Sequence, residues 1–88
     1  MRYKYTKSEF EKIKEIVDLA LDSPNKVEAR KHLKRLNYIA PDVSGPANYI
    51  LIELSSMAEC ASGRVQQESQ IQMVKTSLYK LESFVEKE

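Results

Sequence analysis

The side chains best suited to chemistry are few, and their spacing limits what they could do. The chain holds one cysteine, Cys60, and one histidine, His32. A lone cysteine forms no intramolecular disulfide. One Cys with one His cannot complete a tetrahedral zinc site, which takes four N or S ligands. Cys60 has Glu59 beside it, an anionic neighbour that does not favour a thiolate nucleophile. His32 has neither a nucleophile nor an orienting acid nearby in sequence, so packing at the edge of a core is its expected role. Glu11, Glu15 and Asp18 fall four and three apart on one helix face. Lys12 and Lys14 interrupt them and no Glu-x-x-His pair occurs, so a solvated acidic face is expected rather than a di-metal site. Gly45 and Gly63 are the only glycines and stand too far apart to cradle a phosphate. Nucleophile, base and charge stabiliser never occur together, which predicts a protein that is not an enzyme and uses no cofactor or metal.

Two constellations of a recognition type remain. Arg30, Lys31, Lys34 and Arg35 spread over an arc opposite Leu33, and Tyr38 falls inside it. A basic helix face with an aromatic could hold a phosphate backbone and stack on a base. The plainer reading is a solvated face that complements an acidic first helix. The second constellation is Tyr49, Ile52, Ser56 and Cys60, on the face of the third helix away from its main apolar stripe. A helix apolar on two faces is either central in its fold or used in association. Burial of this face within the monomer is the plainer reading; otherwise it is the candidate protein interface, for a second copy or another protein.

Four segments with a 3.6-residue apolar period must position these groups. The first covers 7–22. Thr6 and Glu9 have capping-box spacing, and Phe10, Ile13, Ile16, Val17, Ala20 and Leu21 share one face. The second covers 24–38, with Ser23 as the expected N-cap, Pro24 as its first residue, and Pro41 as its stop. The third covers 46–62, with Pro46 in its first turn and Ser44 or Gly45 as cap. Its main stripe is Ala47, Ile50, Leu51, Leu54, Met57, Ala58 and Ala61. The fourth covers 64–87, with Ile71, Val74, Leu78, Leu81 and Val85 as its seam. Met57 and Met73 read as gap-fillers. Ser62-Gly63 is expected to turn the chain back. The alternative is one continuous helix through Gly63, which would bring Tyr49, Ile52, Ser56, Cys60, Gly63, Gln67 and Ile71 into register along a seam that needs a partner chain. Short connections predict an all-α, up-down bundle of about four helices. Residues 1–6 form an N-terminal arm, either flexible or packed with its tyrosines over a bundle end.

The whole chain is 88 residues, with 42% hydrophobic and 31% charged residues, which suits one folded domain over 1–88. Fourteen Lys and Arg against 13 Asp and Glu leave a net charge of +1, less basic than a nucleic-acid module usually is. The first helix is acidic and the second basic. No run approaches the roughly 20 apolar residues of a membrane span, and the N-terminus lacks a signal-peptide core. With the single cysteine, these features predict a cytoplasmic protein. In length and helix count the plan resembles the small four-helix bundles that act as bacteriocin immunity proteins, a likeness that carries no motif and no site residue. The expected function is a small non-enzymatic interaction module with a binding, inhibitor, immunity-like or adaptor role. It would act through an apolar helix face and as a homodimer or on another protein. Nucleic-acid binding by the second helix is the alternative.

Overall fold

The structure, a computed structural model, describes residues 2–63 and 68–86. Within them the chain is an all-α bundle with no strand. Helix α1 spans Lys7–Leu21. The Thr6 hydroxyl accepts from the Glu9 N–H at 3.2 Å, and Glu9 Oε1 accepts from the Thr6 N–H at 2.8 Å. The reciprocal pair satisfies two donors that a helix start leaves open. Phe10, Ile13, Ile16, Val17 and Ala20 are buried on one face, as their period requires.

The second segment differs from the expected 24–38 helix. Helix α2 is only Lys26–Leu33, and a 3-10 helix continues over Lys34–Tyr38. Asn25, not Ser23, is the N-cap, with Asn25 Oδ1 accepting from the Glu28 N–H at 2.9 Å. Ser23 is already engaged, its hydroxyl donating to the Leu19 carbonyl at 2.9 Å. That bond serves an orphan carbonyl at the end of α1 rather than a donor at the start of α2. Beyond Leu33 the coil tightens, as helix ends often do when i+3 partners replace i+4 partners ahead of a proline.

Helix α3 spans Pro46–Ala61 and α4 spans Glu68–Glu82, so the two are separate. Ser62 leaves the helix in extended geometry and Gly63 has φ +119°. The expected start of the last helix at 64–67, with Gln67, and its end at 87 lie outside the described residues. Helix α4 stops at Glu82, so Val85 is not a helical seam residue. Its backbone forms a parallel bridge with Tyr5 instead. Val74, Ser77 and Leu81 are the buried line of α4, while Ile71 and Leu78 are half-buried. The seam is thus rotated toward the small Ser77 from the line that the apolar residues alone predict. α3 is the central element, packing against α1, α2 and α4. Full burial of side chains such as Ile13, Leu54 and Leu81 stabilises by about 1.5–3 kcal/mol each.

The N-terminal arm is packed. Tyr5 is fully buried and its hydroxyl donates to the Ala47 carbonyl at 3.3 Å. Burial pushes the Tyr5 hydroxyl up to about 12, with the Glu9 charge adding to the shift. Tyr3 is exposed, with its ring against Gly45. The Arg2 guanidinium grips two carboxylates at once, Glu9 at 2.8 and 2.9 Å and Asp42 at 2.7 and 2.9 Å. Arg2 therefore does not extend the basic patch.

Both glycines are required by backbone sign. Gly45 has φ +79°, and a Cβ there would also stand 3.1 Å from the Tyr3 ring, whereas at Gly63 nothing lies within 4 Å. Gly63→Ala should destabilise by about 1–3 kcal/mol through backbone strain alone. Gly45→Ala should destabilise further, and thermal unfolding of the two variants should rank them in that order. Arg2 holds Asp42 down to about 2, from an ordinary 3.8, chiefly through its hydrogen bond, and also lowers Glu9. Both carboxylates are depressed in the fold, so their pairing stabilises above their ordinary values and is lost as pH falls. An acid titration of stability should show a slope between about pH 4.5 and pH 2 that Arg2→Ala flattens.

Candidate functional site

The outer face of α3 is set by what its other faces must do. At about 100° per residue, Ala47, Leu51, Leu54, Ala58 and Ala61 form one buried stripe. Glu53 and Met57 lie to one side and line a groove with Ser69, Gln72 and Met73 of α4. Asn48, Ser55 and Glu59 lie to the other, toward α2 and the 3-10 helix. What remains is a ridge opposite the core. Tyr49 on it is 74% exposed and Ile52 is 59% exposed, with Ser56 and Cys60 exposed beyond them. The four expected interface residues thus share one strip that the described residues leave accessible.

Ile52 is the junction of the strip. It lines a groove of about 280 Å³ with Leu36, Ala40, Pro41 and Leu51. It also lines a second, of about 240 Å³, with Leu33, Lys34, Asn37, Ser55 and Glu59. Both grooves are smaller than typical small-molecule sites, which run to about 300–1,000 Å³. Their floors take single apolar side chains, and their walls carry amide, hydroxyl and ammonium groups. Arg30 and Glu59 form an ion pair across the second groove, tying α2 to α3.

The basic constellation is divided by the geometry. Arg30 and Lys34 stand on the α3 side of their helix. Arg35 and Tyr38 stand on the α1 side, in a cleft of about 420 Å³ with Lys12, Glu15, Ile16 and Leu19. Arg30 is engaged by Glu59, and Lys31 by Glu28 at 3.1 Å. Lys34 and Arg35 make no ion pair with a described residue, and Tyr38 is 83% exposed. The shift from α to 3-10 winding at Lys34 separates groups that a continuous helical wheel keeps on one arc.

His32 is half-buried on α2, and Cys60 is exposed on α3. Among the described residues no three His, Cys, Asp or Glu side chains gather as a metal-binding group. No helix of the described residues is long and apolar enough to cross a membrane. The groove walls supplied by Asn37, Ser55 and Pro41 were not marked by the sequence. Polar residues at a helix edge have no period that singles them out until the neighbouring element is placed.

A side chain more than half exposed contributes little to folding. Ile52→Ser should therefore leave chemical-denaturation stability within about 0.5 kcal/mol of wild type, whereas Leu54→Ala should cost about 2–5 kcal/mol. Comparison with protein-family models, with curated proteins and with solved structures found no match, so what this surface does must be argued from its own geometry.

Proposed function

We propose that the chain is a small protein-interaction module, working by binding rather than by catalysis, whose contact surface is the outer ridge of α3. The observation that carries this reading is the exposure of Tyr49 and Ile52 on a helix that is otherwise packed on three sides. Exposed apolar residues scattered singly need no explanation, as with Val27. Tyr49 and Ile52 are instead successive positions of one helix face, with Ser56 and Cys60 continuing it. Tyrosine is also among the residues that most often anchor interfaces.

The ridge is convex and bordered by grooves, so the fitting partner offers an apolar cleft around Ile52 and an acidic group for Lys34. Lys34 stands at the groove wall without an ion-pair partner among the described residues. Such a rim charge sets orientation and encounter rate more than affinity. A second copy of the chain and a different protein are both open to this surface.

Nucleic-acid binding through the second helix is the weaker alternative. What favours it is the pair of unpaired cations, Lys34 and Arg35, near the exposed ring of Tyr38. What weakens it is the engagement of Arg30 and Lys31 by carboxylates.

Ile52→Glu separates the readings. Association should be measured by light scattering for the chain alone and by capture from host lysate for a partner. It should weaken at least tenfold in Ile52→Glu, with helicity and melting temperature unchanged. Association that survives unaltered would remove the ridge from consideration. A salt-dependent mobility shift lost in Lys34→Glu/Arg35→Glu but kept in Ile52→Glu would establish the alternative instead.

A further inference from the structure

The two ends of the described chain meet. The Tyr5 N–H donates to the Phe84 carbonyl at 2.8 Å, and the Glu86 N–H donates to the Tyr5 carbonyl at 2.8 Å. Three residues earlier the same arm pairs with the loop before α3. The Arg2 N–H donates to the Asp42 carbonyl at 3.1 Å, and the Ser44 N–H donates to the Arg2 carbonyl at 2.8 Å. The arm therefore bridges the entry to α3 and the exit of α4 with main-chain hydrogen bonds, and Arg2 fastens its outer end to Glu9 and Asp42.

Apart from the arm, helix α4 is held chiefly from one side, by its packing on α3. Its principal helix neighbour among the described residues is α3. On its buried line only Val74 and Leu81 are large apolar residues, with Ser77 between them. Met73 and Tyr79 are exposed. A terminal segment that packs on a single neighbouring helix can open as a unit, below the free energy of global unfolding.

The geometry points to a clasp: residues 2–5 lock the C-terminal end of α4 onto the body formed by α1, α2 and α3, and their release lets α4 leave α3 as a unit. This goes beyond the proposed ridge and does not depend on it. Two features suit a clasp that opens. Ser44 Oγ is buried with no hydrogen-bond partner among the described residues while the arm is seated, and opening returns it to water. The unseated arm would also leave α1 its own start, because the Thr6–Glu9 capping box lies downstream of residues 2–5. Opening would uncover Val74 and Leu81 of α4 and the face of α3 that packs on them.

Native-state hydrogen exchange on the full chain tests the clasp from both ends. Glu86→Pro removes the donor that meets the Tyr5 carbonyl, at a position whose side chain is exposed. Arg2→Ala unfastens the other end without touching α4. Each should speed exchange at Val74, Leu78 and Leu81 at least tenfold, while Ile13 and Val17 of α1 stay within twofold of wild type. Unchanged α4 exchange in either variant would overturn the clasp. So would exchange in α1 that rises in step with α4, since that is loss of global stability.

Discussion

One buried tyrosine joins the start of the chain, the first turn of α3 and the exit of α4. Tyr5 is not in a helix, so its main-chain groups find no partner within its own segment. Buried backbone donors and acceptors are almost always paired, and an unpaired one is costly. The partners available are the carbonyl of Phe84 and the N–H of Glu86, at the far end of the chain. The phenol adds a third tie, to the Ala47 carbonyl in the first turn of α3. The arm, the entry to α3 and the exit of α4 are thus held together. In a chain of this length the core is thin, and closing the ends compensates for what a larger interior would supply.

That closure explains why α3 is central. α1 and α2 lie against it on one side, α4 on another, and the arm crosses its N-terminal turn. Its buried stripe is rich in alanine, with Ala47, Ala58 and Ala61 beside Leu51 and Leu54. Small residues let neighbouring helices approach closely, and they leave less apolar area buried by each contact. A helix wrapped in this way keeps one free strip, and here that strip carries a tyrosine and an isoleucine rather than lysine and glutamate.

What could be read from the sequence was local. The capping box of Thr6 and Glu9, the apolar faces of α1 and α3, and the break at Ser62-Gly63 are each encoded within a few residues, and the structure contains them. The same periodicity put Tyr49, Ile52, Ser56 and Cys60 on one face but left open whether that face is buried within the fold, and the structure exposes it. What was not legible depends on distant partners. Ser23 and Asn25 are both good capping residues, and only the position of the Leu19 carbonyl decides which serves α2. Val85 continues a heptad on paper, yet Tyr5 claims its backbone. The two carboxylates that engage Arg2 stand 7 and 40 positions away, so nothing local marks them.

The charge pattern shows the same distinction between composition and geometry. An acidic first helix and a basic second one suggest ion pairs between them. Yet Lys12, Glu15 and Arg35 line a common cleft without pairing, and the pair that does cross between helices is Arg30 with Glu59 of α3. Exposed pairs contribute about 0–1 kcal/mol, so little stability rests on either arrangement. Their effect is on recognition. The engaged Arg30 presents a neutralised wall to the groove, and Lys34 beside it keeps its charge. On the proposed reading, a partner settling on Ile52 would meet one defined cation rather than a diffuse basic field, and one cation at the edge of an apolar contact specifies orientation without demanding a polyanion.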